Sequence, residues 1–213
     1  MKKIVIKIIC LLLIMNFSIS CKETKKKGID CPLGYGTLVD HRDGSRYSTL
    51  AVCDVVWMTQ NLRYEVPGVL KEPIELGVEY GFLYNFEQAQ GACPENWHLA
   101  TDEDWKALEA ALGMSKDELG KTGWRGREVG QALKSSIEWK KGEKSATYIS
   151  FRALPVGYFN GTQQGLDKTA RFWTASEADA TTAWIRELGL EEKKIKRSAE
   201  KRSDYNSCRC VLD

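Results

Sequence analysis

The sequence predicts a single α+β domain, with helices in the middle and strands at both ends, behind an N-terminal export segment. Three observations carry that prediction. Residues 36–62 alternate short β-rich runs with turn signals, residues 101–112 have the apolar spacing of an amphipathic helix, and from Trp139 onward β character returns. Strands at both ends of one domain are expected to lie close together in space. No repeat of fixed period and no low-complexity tract interrupts this plan.

The export segment is residues 1–20. Lys2, Lys3 and Lys7 precede an apolar stretch at 8–15, and the small residues Ser18 and Ser20 follow, which is the plan of a secretory signal. The apolar stretch is far short of the roughly 20 residues that a membrane span needs. Cys21 comes next. The run Phe17-Ser18-Ile19-Ser20-Cys21 resembles the lipobox of bacterial lipoproteins, in which the cysteine is diacylated and begins the mature chain, although Ser18 stands where Leu is usual. The alternative is ordinary cleavage after Ser20, which leaves Cys21 as a free thiol. With lipid on Cys21, residues 21–36 read as a lipidated N-terminus and flexible tether, residues 37–213 as the domain, and the location as the outer membrane, on its periplasmic or cell-surface face. Without the leader, 28 basic side chains stand against 29 acidic ones, so nucleic acid is not an expected partner.

Within the domain, residues 37–39, 47–52 and 55–58 read as strands, and the Asp43-Gly44 pair signals a tight hairpin between the first two. Residues 66–78, with two prolines and two glycines, read as a loop, followed by the aromatic run 80–86 and a helical turn at 87–90. In the main helix Thr101 and Asp104 approximate a capping box, Trp105, Leu108 and Leu112 share a face, and Gly113 can close the end. That pattern makes Asp102, Glu103 and Asp104 first-turn acids rather than catalytic ones. Ser115 and Glu118 repeat the cap before a short turn, and residues 128–135 suggest a second helix. Strands are then expected at 148–151, 172–174, 183–190, 194–198 and 207–212.

Once Cys10 and Cys21 are set aside, Cys31, Cys53, Cys93, Cys208 and Cys210 remain, enough for two disulfides and one free thiol in an oxidising compartment. No C-x-x-C occurs and only His41 and His98 could add nitrogen ligands, so neither a metal nor a cofactor is expected.

Eight ordered segments carry a family likeness: VVWMTQNL (55–62), YGFLYNF (80–86), CPENWHLATDEDW (93–105), GQALKSS (130–136), SFRALPVGYFNG (150–161), RFWTASE (171–177), AWIREL (183–188) and CRCVLD (208–213). In this order they resemble the Fibrobacter succinogenes major paralogous domain over about residues 37–213. The resemblance implies an exported, often lipidated protein of Bacteroidetes-type bacteria. It also implies a fold distantly similar to C-type lectins and formylglycine-generating enzymes, with two helices packed on mixed, irregular antiparallel sheets, and no established activity. Cys93 and Cys210 fall at family positions and are expected to pair. Cys53 stands where the family usually has Gly, and Cys208 where it has an apolar residue, so the second bond is either Cys31–Cys53 or Cys53–Cys208. Val156 replaces the first Gly of a Pro-Gly-Gly-Tyr, and Phe159 stands where Arg is common.

Catalysis is not expected. Copper chemistry of the formylglycine-generating kind would need a reactive cysteine pair, and Cys208 and Cys210 are badly placed for one on a strand. A Ser-His-Asp set would need His41 or His98, but no Gly-x-Ser-x-Gly elbow exists, and His98 is expected to bond a backbone carbonyl. The calcium-ligand triplets of C-type lectins are also absent. Seven Trp and eight Tyr are then the remaining signal, because a sugar's apolar face stacks on rings with a polar edge. Trp57, Trp97, Trp105, Trp173 and Trp184 sit among apolar residues and read as core. Loop rings Tyr64, Trp124, Trp139, Tyr158 and Tyr205 are the ligand candidates, with Arg171 and Arg186 as hydrogen-bond donors. Two functions follow from this: a lipid-anchored module that binds a glycan or an envelope protein, or a structural component of the envelope with no small ligand.

Overall fold

Side-chain alternation and tight turns build the first sheet in this computed structural model, which describes residues 31–71, 80–135, 139 and 149–213. Strands β1 (Leu33–Val39) and β2 (Arg46–Val52) pair in uninterrupted register around the 41–44 turn, where Gly44 takes φ +75°. β2 then turns through Cys53 and Asp54 into β3 (Val55–Met58). Cys53 has φ +54°, a left-handed conformation that glycine adopts more easily, and it is tied to Cys31 with their Cα atoms 5.1 Å apart. β4 (Trp97–Leu99) and β11 (Cys210–Leu212) complete the order β1-β2-β3-β11-β4, so the first and last strands share a sheet. Cys93 and Cys210 are joined across a separation of 117 residues, with their Cα atoms 5.9 Å apart.

The second sheet has the order β5-β10-β9-β8: Gly123–Arg125, Ile195–Lys201, Thr182–Gly189 and Thr169–Glu177. A two-stranded hairpin, β6 (Tyr158–Phe159) and β7 (Gln163–Gln164), lies beside it. The helices are α1 (Phe86–Gln90), α2 (Asp102–Ala111), α3 (Lys116–Leu119) and α4 (Val129–Leu133). Thr101 and Asp104 form the capping box of α2, and Asn85 with Gln88 forms a second one on α1. The architecture is therefore α+β, as expected, with four helices among the described residues where two were anticipated.

Two cores sandwich the second sheet. Along β8 and β9, Phe172 and Leu188 enter one core with Trp57, Trp105 and Phe151, while Trp173 and Ile185 enter the other with Tyr47, Tyr84 and Phe86. In the first core Trp105 meets Trp57, Phe151 and Phe172 at centroid distances of 5.1, 5.6 and 5.5 Å. Trp57, Trp105 and Trp173 are fully buried, whereas Trp97 and Trp184 are half-buried.

Several local expectations shift. Residues 149–151 form no strand, and Tyr148 lies outside the described residues, as do 72–78 of the expected loop. The last strand shortens to Cys210–Leu212 because residues 206–209 pass their backbone bonds between neighbours. Ser207 N–H donates to Arg171 O, Leu62 N–H to Cys208 O, and Ala100 N–H to Arg209 O. β4 to β7 were missed as strands, each being too short to show a period.

Charge also lies inside the protein. Arg186 is fully buried between α2 and the sheet, with Nε donating to Glu109 at 2.6 Å and Nη1 to Asp102 at 2.7 Å. Arg197 adds two bonds to Asp102, at 2.9 and 2.8 Å, and Arg125 pairs with Glu109 at 3.0 Å. Although burial opposes ionisation of Asp102, these cations hold its carboxyl far below the usual range. Arg209, also fully buried, has no carboxylate among its hydrogen-bond partners in the described residues: it donates to Asn61, Met58 O, Phe151 O and Arg152 O. Burial pulls its guanidinium down to about 9, and the Phe151 and Phe172 rings face it at 4.8 and 5.4 Å.

His98 does not bond a backbone carbonyl. It lies between Asp213, at 2.6 Å from Nδ1, and Asp104, at 3.1 Å from Nε2, so it ties the end of β11 to the cap of α2. Burial works to lower the His98 pKa, but the two carboxylates outweigh it and raise the value.

Two outcomes are expected. Arg186→Met leaves Asp102 and Glu109 short of a buried partner and should lower unfolding free energy by about 3–5 kcal/mol in urea titrations. A raised folded-state pKa at His98 gives stability that is complete below the ordinary imidazole pKa and fades as pH rises through the folded value. The melting-temperature advantage of the wild type over His98→Gln should therefore be largest near pH 6 and shrink toward about pH 9. A gap that does not vary with pH would count against the clamp.

Candidate functional site

The register of the second sheet lines up a row of side chains on the face turned away from α2. Lys196 lies opposite Trp124 on one side and opposite Glu187 on the other, and Arg171 lies opposite Glu187. Directly opposed residues share a face, so Trp124, Lys196, Glu187 and Arg171 cross all four strands in order, over roughly 14 Å at the usual strand spacing. Tyr158 of β6 extends the row, its ring 3.4 Å from the Arg171 guanidinium carbon.

Polar contacts bind the row together. Arg171 Nε donates to Glu187 at 2.5 Å, Lys196 Nζ lies 3.7 Å from the other Glu187 oxygen, and Arg171 Nη1 lies 3.8 Å from Glu200. Asp204, which is 8 % exposed, is pushed upward by its own burial and by the charge of Glu200, partly offset by Arg171 and Lys201. Trp124 is 37 % exposed and lies across Gly189, where an added Cβ would come within 3.3 Å of its ring. The strip thus offers a partly exposed indole, an ammonium and a carboxylate and guanidinium pair on one sheet, with a phenol from the neighbouring hairpin. Such a set can stack on an apolar ring face and exchange hydrogen bonds with hydroxyls. It presents no nucleophile beside a base.

Of the residues singled out from the sequence, Trp124, Arg171 and Tyr158 meet here. Tyr205 borders them, bridged to Phe159 of β6 with ring centroids 6.0 Å apart. Three candidates do not belong. Trp139 is 6 % exposed and buried in the first core, with Nε1 bonded to Ala153 O at 2.7 Å. Arg186 points to the opposite face of the sheet and is used up by Asp102 and Glu109. Tyr64 lies elsewhere, covered by the Arg42 guanidinium at 3.6 Å. Lys196, Glu187 and Glu200 were overlooked, although opposite charges on neighbouring strands joined by a short turn were a readable signal.

A shallow, open depression of about 580 Å³ between Glu87, residues 180–182 and residues 201–203 lies apart from the row. No group of His, Cys, Asp and Glu among the described residues could hold a metal ion, and no described helix is long and apolar enough to cross a membrane.

No curated protein and no solved structure matches the chain. The sequence pattern of one family does match, from the end of β2 through β11, over residues 51–212, and on that extent the chain belongs to the Fibrobacter succinogenes major domain family.

Proposed function

We propose that the chain is an exported lipoprotein, held by lipid on Cys21 at the outer membrane, whose domain is a non-catalytic binding module for a glycan. The observation that carries the reading is the row from Trp124 to Tyr158. An indole that is 37 % exposed, with the Lys196 ammonium 5.9 Å over its ring, stands in register with charged groups that can donate to and accept from sugar hydroxyls, without the loop ordering that costs affinity. Kinship with C-type lectins belongs to the same proposal. It is supported by a capped helix packed on irregular antiparallel sheets and by terminal strands in one sheet.

A second reading has its own support. Arg171 and Glu187, at the centre of the row, are each 8 % exposed and already paired. A strip so satisfied suits a flat contact with an envelope protein, or a structural component with no small ligand, better than a deep pocket would.

Residues 28–213 applied to a glycan array should give a defined set of hits. Trp124→Ala should weaken them about tenfold, as expected for loss of one stacking partner, while the protein stays folded with a stability loss of no more than about 2 kcal/mol. An array without hits favours the second reading. Separately, Cys21→Ser should move the protein from the membrane fraction to the soluble one. Unchanged partitioning would overturn the anchor.

A further inference from the structure

The edge of the first sheet offers a surface that the binding row does not use. Two backbone bonds set its phase. Cys53 N–H donates to Pro32 O, and Asp40 N–H donates to Ser45 O, so the even-numbered positions of β1 face β2. The N–H and C=O groups of Leu33, Tyr35, Thr37 and Val39 therefore point to the open side, where no described residue takes them. The strand is Leu-Gly-Tyr-Gly-Thr-Leu-Val, with no charge, proline or bulge of the kind that usually blunts such an edge. Tyr35, 58 % exposed, is the most exposed large hydrophobic side chain among the described residues. The other edge of the same sheet is β4, with only three residues.

We propose that β1 is a self-pairing strand that joins two copies of this chain, antiparallel about a two-fold axis at Gly36. The sequence selects this occupant. With Gly36 opposite the partner's Gly36, Leu33 faces the partner's Val39 and Tyr35 faces the partner's Thr37, so all seven residues find a position. The outward-pointing groups then fall in register as bonded pairs, each exchanging two hydrogen bonds. Gly36 meets its copy at a non-bonded pair, where the Cα atoms come closest and side chains would crowd most. That residue is held as glycine from the inner side as well, since an added Cβ would stand 2.9 Å from Thr49 Oγ1. No like charges oppose each other anywhere along the seam. A contact of one strand per copy is smaller than a standard stable interface, so the dimer forms in a concentration-dependent way. The interface is isologous and closes at two copies. β1 lies ahead of residues 51–212, so this contact belongs to the part of the chain outside the shared family region.

The full chain, processed in an exporting host and purified in detergent, supplies the test. Sedimentation velocity over a dilution series should show a monomer–dimer equilibrium for the wild type. The variants Y35K/T37K and Y35E/T37E place like charges opposite each other in this register, and each alone should be monomeric. An equal mixture of the two should recover the dimer, because each Lys then meets a Glu. In the unmodified chain, amide exchange at Leu33, Tyr35, Thr37 and Val39 should slow at high concentration, with no change at Gly34, Gly36 and Leu38. This readout stands even where a variant misfolds. A wild type monomeric at every concentration, a dimer that survives in both charged variants, or a mixture no more dimeric than its components would each overturn the proposal.

Discussion

The buried pairing of Arg186 with Asp102 and Glu109 fixes the rest of the structure. It joins the first and last turns of α2 to an inner strand of the second sheet, β9, and Arg125 and Arg197 close it from β5 and β10. Desolvating five ionised groups is costly, and the geometry compensates only because each carboxylate meets at least two guanidinium groups. The consequence is positional. A strand has period two, so with Arg186 inward, Glu187 must face out, and slipping β9 by one residue would bury Glu187 against α2 and expose Arg186. The network thus fixes the phase of the outer face. Trp124, Lys196, Glu187 and Arg171 line up because β5, β10 and β8 take their register from a strand locked on its other side.

That coupling explains how a sheet with little apolar surface on one half can still present a rigid strip. At one end of β8 and β9, Trp173 and Ile185 are covered by the second core, with Trp173 Nε1 bonded to Tyr84 O at 2.8 Å. Two residues earlier, at Arg171, the same face turns from apolar to charged side chains. The change from apolar to charged side chains along β8 therefore marks where the covering core stops. Ring and guanidinium stacking takes over there, with Arg171 on Tyr158. On the opposite face the same device recurs, with Arg197 on Trp184 at 3.4 Å.

Much of this was legible in the sequence, for reasons that differ by element. The main helix announced itself through Thr101 and Asp104, whose side chains and backbone satisfy each other locally, and the structure retains that box. β3 was readable to the residue because Val55 to Met58 is bounded by a turn and a polar run. Asp102 was read as a dipole partner in the first turn, which understated it. Local sequence cannot show that two arginines 84 and 95 residues later will surround it. Arg186 was misjudged for the same reason, since a charge in a strand reads as solvent-facing unless its partners are known. Trp139 was placed in a loop by its polar neighbours, but its ring fills the first core. In the row, the ring and arginine residues stood out by composition. Lys196 and Glu187 did not, being ordinary strand charges until the register sets them opposite each other.

The C-terminal segment gathers these constraints. Residues 206–212 touch both sheets in turn, through Ser207 on β8, Leu62 bonded to Cys208 O, and Val211 opposite Trp57. Arg209, placed between them, holds the carbonyls of Met58, Phe151 and Arg152, so one buried cation substitutes for strand pairing where the chain crosses from sheet to sheet. Cys208 and Cys210 flank it in the second core, one free and one bonded to Cys93. Attack on a disulfide needs a thiolate, and complete burial pushes the Cys208 thiol far above its ordinary range. The free thiol is thereby kept from exchanging with its neighbour. The core that packs Cys208 thus disfavours the thiolate beside the bond that closes the longer of the two disulfide loops among the described residues.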